Sequence, residues 1–388
     1  MSTSSHTKAS LLVVAGEASG DSAAAAVLRA LTRNPDGPKL SIAPFGFGGD
    51  AMRAEGVDLV GDLRQTTALG LTEPLTRARD LLRVYRALVK RTEHERPRAA
   101  LLVNYTEFNL KLAAAIRPLG VRIAWYGAPQ IWAWREGRAK TLRGLVDRLC
   151  VILPFEERLW RDHGVDASYV GHPAREAVPL SRNDARAVLG LTERAKTVAI
   201  LPGSRAHEVR ALLPSMVPAY ERVRQERASI DGRLFLAPSL DASTVAFAKK
   251  LAKEVALEVV EVSATAGIGS VLPAFDAALT ASGTVSLECA IAGVVPVVAY
   301  RVSLVTELGA RLLLKTPHVA LPNILLGRRA FDEVLQRDVT TKNLAHALAR
   351  ALDDRERRDA CAEVLRMLGP ENTPSREVAR ILTPWLDR

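Results

Sequence analysis

The sequence predicts an α/β protein of two doubly wound domains, each a parallel sheet covered by helices on both faces. Three observations predict it. Short apolar runs without polar–apolar alternation recur between helical stretches, which is how strands buried on both faces read. The pattern breaks at a polar stretch, residues 173–194, and a second alternation of the same kind follows. The length of 388 residues exceeds one ordinary domain and suits two of about 150–200 residues.

In order, Leu11–Ala15 opens as a buried strand, followed by the turn GEASGD (Gly16–Asp21) and an Ala-rich helix to Leu31. Ser41–Phe47 is the next strand and runs into Gly48-Gly49. Ala99–Val103 and Val121–Tyr126 follow, with a helix near Asn109–Arg117 between them. Arg148–Leu153 and Ser168–Gly171 complete the first series. The second comprises Val198–Leu201, Arg233–Ala237, Val259–Val262, Ala277–Thr280 and Val294–Ala299. The expected division is 1–175, 176–355, and C-terminal helices over 356–388 that return to the first domain. The two sheets are expected to face a cleft at their C-terminal edges, where such folds bind ligands.

Composition narrows the class. At 48% hydrophobic and 25% charged, the chain has ample core material for a globular protein. Lys and Arg outnumber Asp and Glu by 53 to 43, which favours a polyanionic partner: nucleic acid, an anionic membrane surface or a phosphorylated substrate. Cys150, Cys289 and Cys361 lie far apart without CxxC spacing, which suits a reducing cytoplasm. The apolar run Leu11–Ala15 is too short for a signal peptide, and no run approaches the ~18 apolar residues of a membrane span. GEASGD fails the GxGxxG spacing, GxxxxGK[ST] is absent, no Asp-x-Asp pair occurs and the histidines are scattered. Neither a dinucleotide, a P-loop nor a metal site is expected.

Four stretches can carry chemistry, with GEASGD beside them. Asp276–Tyr300 (DAALTASGTVSLECAIAGVVPVVAY) reads as strand, turn at Ser282-Gly283-Thr284, short helix, and strand. A helix entered this way offers free N–H groups to a phosphate, and Gly283 lets the ligand approach without a Cβ in the way. Glu288 lies four residues after Thr284, one too many for a capping box, and can accept hydrogen bonds from two sugar hydroxyls. LPGSRAHEVR (Leu201–Arg210) repeats the arrangement, with Arg205 as a cation for phosphate. YGAPQIWAWREGR (Tyr126–Arg138) sets Gln130, Trp132 and Arg135 together, a composition suited to sugar or phosphate, although a hydrophobic wedge accounts for Trp132 as well. Leu75–Arg91 is a basic amphipathic helix that suits an anionic membrane surface or ordinary packing with a solvated basic face. At the tip of GEASGD, Glu17 is either a site acid or a helix-start acid favoured by the dipole.

Taken together, AGEASGD, GGDAMRAEG, PQIWAWR, LPFE, VGHP, LPGSRAHEV, ASGTVSLE, VVAYRVS and LPNILLGR resemble the lipid-A-disaccharide synthase family over nearly the whole chain. The resemblance implies the two-Rossmann-domain GT-B architecture and inverting transfer of 2,3-diacylglucosamine from its UDP donor to 2,3-diacylglucosamine 1-phosphate. The products are a β-1,6 disaccharide and UDP. It implies Arg205 on phosphate, Ser282, Gly283 and Thr284 as amide contacts, Glu288 on ribose, and Asn323 and Gln130 lining the cleft. It implies no cofactor or metal, no nucleic acid, a cytoplasmic enzyme peripheral on the inner face of the membrane, and leaves a homodimer open. The family's Gly-Ile-Asp-Ala-Pro-Asp-Phe-Asn is LVNYTEFN here, so Asn104 replaces a candidate base and Glu107 the second aspartate. An amide cannot take the proton, so the base is expected to be Glu107 or Glu17. The departure leaves open a different UDP-sugar or lipid acceptor, or a catalytically silent UDP-sugar or lipid-binding protein. GLTEP likewise departs from the family's stretch expected against acyl chains.

Overall fold

The computed structural model describes residues 8–33, 40–63, 74–132, 137–227, 229–262, 267–301, 316–370 and 373–387, with side chains of 74–77 excepted. The chain divides into two compact units, residues 1–176 with 371–388, and residues 177–370.

The first unit is built on a seven-stranded sheet of β1 (Ala9–Ala15), β2 (Ile42–Gly48), β3 (Asp58–Asp62), β4 (Ala99–Val103), β5 (Arg122–Tyr126), β6 (Arg148–Val151) and β7 (Ala167–Tyr169). Its order is β3-β2-β1-β4-β5-β6-β7 and every pairing is parallel. Period-two geometry sends alternate residues of β1 to opposite faces. Leu12 and Val14 enter one core with Phe45, Leu102 and Trp125, while Leu11, Val13 and Ala15 enter the other with Val27, Leu28 and Leu101. Both faces are therefore apolar, which explains the unbroken hydrophobic runs in the sequence. At about 1.5–3 kcal/mol per fully buried Leu or Val, these two layers are the main favourable term of the unit.

The second unit holds β8 (Lys196–Leu201), β9 (Ile230–Leu236), β10 (Glu258–Glu261), β11 (Ala277–Ala281), β12 (Val295–Tyr300) and β13 (Glu333–Leu335), in the order β10-β9-β8-β11-β12-β13. All its pairings are parallel. In both sheets the order reverses beside the first strand, between β1 and β4 and between β8 and β11. Successive helices pass to opposite sides there, and the turns after those strands splay apart and leave room for a ligand.

The last segment corrects one expectation. The helix Arg355–Met367 stays with the second unit, where Ala360, Cys361 and Val364 are buried and it packs on the helices Thr284–Ile291 and Leu321–Leu326. Only the helix Pro374–Leu386 joins the first unit, packing on the helix Ala18–Thr32 through Val378, Ala379, Leu382 and Leu386. Arg98 donates to the Leu386 carbonyl at 2.9 Å, and Glu176 accepts from the Ser375 amide at 2.5 Å. The break at Gly369-Pro370 lets the chain change units between the two helices.

Candidate functional site

Two strand-to-helix turns lie side by side at the reversal of the second sheet, because Thr280 of β11 pairs with Leu201 of β8. Their sequences suggest the same anion site twice, but the structure separates them. After β8, the Glu208 carboxylate turns back and accepts the amides of Ser204 at 3.1 Å and Arg205 at 3.2 Å. Gly203, at φ +116°, lies so close that a Cβ would come 2.4 Å from that carboxylate. The helix Ala206–Glu226 is capped by its own side chain, so this turn does not offer those amides to a phosphate. What it offers is Arg205, whose side chain is 61% exposed and 3.4 Å from Glu208.

After β11 no described residue takes that part. The amides of Gly283, Thr284 and Val285 have no acceptor among the described residues, and a Cβ at Gly283 would meet nothing within 4 Å. Gly283 stands at φ +144°, which a side chain would strain. The Ser282 hydroxyl is spent on the Val319 carbonyl at 3.2 Å, so Ser282 positions the turn through its side chain. One turn on, the Glu288 carboxylate is half-buried and makes no hydrogen bond or ion pair with the described residues. Burial pushes it up to about 7. Amides and a carboxylate 3–5 residues apart, unpaired among the described residues, suit a ligand with an anionic end and a hydroxyl-bearing middle.

Asn323 does not line this site. It is wholly buried, donating to the Phe331 carbonyl at 3.0 Å and to Glu333 at 2.8 Å, and accepting from the Phe331 amide at 2.9 Å. Its role is internal: Glu333 in turn accepts the Ala320 amide at 3.0 Å and fixes the segment that meets Ser282.

In the first unit, Ala15 of β1 pairs with Val103 of β4, which brings the turns of Glu17 and Asn104 together at the other reversal. They interlock. A Cβ on Gly16 would come 2.0 Å from the Tyr105 ring, and Asn104 and Tyr105 are both left-handed, at φ +49° and +42°. Asn is among the few residues that accept this backbone readily. The Asn104 amide donates to the Tyr126 carbonyl at 2.9 Å, and its side-chain oxygen occupies the place where a Cβ of Gly127 would stand, 1.9 Å away. Asn104 thus shapes the turn that delivers Glu107. Glu107 lies in the first turn of the helix Thr106–Ile116, 66% exposed in its side chain and paired with Arg138. Glu17 is exposed and caps the helix Ala18–Thr32 only through its carbonyl, which accepts the Asp21 amide at 2.9 Å.

Asp21 carries a role that motif reading missed. It is buried and accepts the amides of Gly49 at 2.7 Å, Ala51 at 2.9 Å and Met52 at 3.2 Å, fastening GGDAM to GEASGD. The buried His172 accepts the Ala174 amide at 3.2 Å, and burial lowers it to about 4, so it stays neutral and structural. Gln130 is exposed and without a partner among the described residues, whereas the Trp132 indole donates to Glu156 at 2.9 Å and packs edge-on to Phe155. Trp132 therefore keeps only its apolar faces for a ligand. Burial raises Glu156 to about 7 against the hydrogen bonds from Trp132, Leu153 and Ile152. Arg135 lies outside the described residues, as does most of GLTEP.

The helix Pro74–Glu95 spends its apolar face on the core, where Leu88 is buried and Leu81 and Val84 pack. Of the two readings of this helix, ordinary packing accounts for those apolar residues, while Leu82 stays exposed. Arg79, Arg83, Arg86 and Lys90 remain exposed. Among the described residues no helix is long and apolar enough to cross a membrane, and no cluster of metal-ligand type occurs.

The lipid-A-disaccharide synthetase family model matches residues 11–380. A lipid-A-disaccharide synthase of Myxococcus xanthus is 43% identical over 344 residues, 88% of this chain and 87% of that protein. One of Anaeromyxobacter dehalogenans (strain 2CP-1) is 40% identical over 377 residues, 96% of each. Among solved structures, UDP-GlcNAc 2-epimerase from Neisseria meningitidis bound to UDP-GlcNAc shares the fold at TM-score 0.62 and 10% identity, over 97% of this chain and 98% of that one. The spinosyn rhamnosyltransferase SpnG complexed with thymidine diphosphate does so at TM-score 0.60 and 12% identity, over 96% and 99%.

The state of Glu288 can be checked without any ligand. Between about 4.5 and about 7 the folded chain holds a proton there that the unfolded chain has released, so the parent loses stability as pH rises through this window. Glu288→Gln does not titrate. In urea unfolding, the stability of the variant relative to the parent should be greater at pH 8 than at pH 5. An equal difference at both pH values contradicts the burial of an unpaired carboxylate.

Proposed function

Since the chain belongs to the lipid-A-disaccharide synthase family, we propose that it moves 2,3-diacylglucosamine from UDP to O6 of 2,3-diacylglucosamine 1-phosphate, with inversion. The observation that carries the donor assignment is the set of amides at Gly283, Thr284 and Val285, followed by Glu288, none of them with a partner among the described residues, beside Arg205 at the sheet reversal. In this reading the amides and Arg205 bind the diphosphate, and Glu288 accepts from the ribose hydroxyls. As the C1–O bond to UDP breaks, the departing diphosphate gains negative charge. Fixed N–H dipoles and a guanidinium stabilise that charge without reorganising, so the leaving group needs no acid. No cofactor or metal enters the reaction.

The first unit supplies the base. The acceptor hydroxyl loses its proton as O6 bonds to C1, and the carboxylate that takes it belongs at the C-terminal edge of the sheet. Glu107 and Glu17 both stand at the reversal of that sheet, and Glu107 is our choice. The Asn104-Tyr105 turn places it, and Arg138 restrains its carboxylate while competing for the same oxygens. Asn104 is a positioning residue, and its amide matches the left-handed backbone, so its departure from the family's aspartate is compatible with the same transfer. Gln130 is an acceptor contact in this reading.

The exposed basic face of the helix Pro74–Glu95 docks the enzyme on an anionic membrane, where both diacylated sugars reside. Binding to phosphatidylglycerol vesicles should fall as salt rises, and fall further in a variant with Arg79, Arg83 and Arg86 all replaced by Gln. Salt-independent binding, or no effect of the triple substitution, returns this face to simple solvation.

Purified protein incubated with UDP-2,3-diacylglucosamine and the 1-phosphate acceptor should release UDP and form the disaccharide; absence of product contradicts the proposal. Glu107→Gln should lower turnover by roughly 10²–10⁴-fold with UDP affinity kept. Near-parental turnover in Glu107→Gln, with activity lost in Glu17→Gln, moves the base to Glu17.

A further inference from the structure

The donor turn has a polar neighbour in the segment that receives the Ser282 hydroxyl. His318 lies in the segment 316–320, directly before Val319, whose carbonyl receives the Ser282 hydroxyl at 3.2 Å. Ser282 opens the turn whose next amides, those of Gly283, Thr284 and Val285, have no acceptor among the described residues. The segment therefore stands next to the proposed diphosphate site, within the same unit.

Its backbone is held firmly. The Val319 amide donates to both Glu333 oxygens at 3.2 Å, and the Ala320 amide to one of them at 3.0 Å. Asn323 donates to the same carboxylate at 2.8 Å. On the other side, the Thr316 hydroxyl donates to the His318 carbonyl at 2.9 Å. A buried carboxylate thus organises the loop from behind, and the imidazole is presented from a fixed base.

The ring itself is unsatisfied. Nδ1 is buried without a partner, and neither ring nitrogen has one among the described residues. A neutral imidazole carries one N–H. Burying that N–H without an acceptor is rarer and costlier than burying a lone pair, so the proton belongs on Nε2, which is not among the buried atoms without a partner in this half-buried residue. The segment thus carries a hydrogen-bond donor without an acceptor among the described residues, next to the turn of three open amides.

We infer that His318 is a further donor-site residue, its Nε2–H donating to a phosphate oxygen of the nucleoside diphosphate. The inference rests on the donor-site reading above and gives a purpose to the Asn323–Glu333 network, which holds His318 in place rather than touching the ligand. It also makes the segment 316–320 a second wall of the site, opposite in origin to the helix that carries Glu288.

Calorimetry with UDP on the full-length protein tests it, using the parent, His318→Ala, His318→Gln and Glu288→Gln. Loss of one hydrogen bond to a charged group should raise the Kd of His318→Ala by about 10–100-fold. The amide nitrogen of Gln sits near where Nε2 does, so His318→Gln should recover most of the loss. The donor KM should follow the Kd, with kcat changed less. Unchanged UDP affinity in His318→Ala overturns the inference, as does a His318→Gln variant that is as weak as His318→Ala. If the parent binds UDP and Glu288→Gln weakens it while His318→Ala does not, His318 alone is wrong. If the parent does not bind UDP, the donor-site reading fails and the inference with it.

Discussion

A helix entered directly from a strand begins with backbone amides that have no partner of their own, and the way each such set is satisfied organises this protein. Three turns show three outcomes. Asp21 collects the amides of Gly49, Ala51 and Met52 and joins two segments of the first unit. Glu208 collects those of Ser204 and Arg205 and closes the turn after β8. The set after β11 is left open by the described residues. Two closed sets are structure, and the open one is the place where a phosphate completes the pattern.

The same contrast separates the carboxylates. Glu208, Glu333 and Asp21 are spent on backbone amides, and Glu107 is matched to a guanidinium. Glu288 has no partner among the described residues, and burial raises it to about 7, so it costs stability near neutral pH. Keeping such a group is intelligible if a ligand supplies the missing donors, since sites are where local stability is given up for function.

Most strands that were legible in the sequence are those buried on both faces, such as Leu11–Ala15 and Ala277–Thr280, because nothing polar interrupts them; the edge strand at Val259–Val262 was read as well, from its valines. The edge strands Asp58–Asp62 and Glu333–Leu335 were missed: each is short, carries acids, and gets its order from one neighbour rather than from its own pattern. Candidate residues in Gly-containing turns at the sheet reversals were also legible, because Gly and positive φ mark such turns locally. What could not be read was the pairing. The closure of Ser204 by Glu208 had a local signal, since Arg205 and Glu208 have capping-box spacing. By contrast, Trp132 meets Glu156, Asn323 meets Glu333, and Asp21 meets Gly49 across 24, 10 and 28 residues of chain, with no motif spacing to mark them. Neither the burial of Asn323 nor the orphaned ring of His318 leaves a trace in composition or spacing.

The central claim is that the diphosphate is held by the amides after β11 and not by those after β8. Hydrogen–deuterium exchange with and without UDP reads those amides themselves. The account predicts slowed exchange in a peptide spanning 283–288 on UDP binding, with a peptide spanning 203–208 unchanged because Glu208 already holds its amides. Protection confined to 203–208 would contradict it.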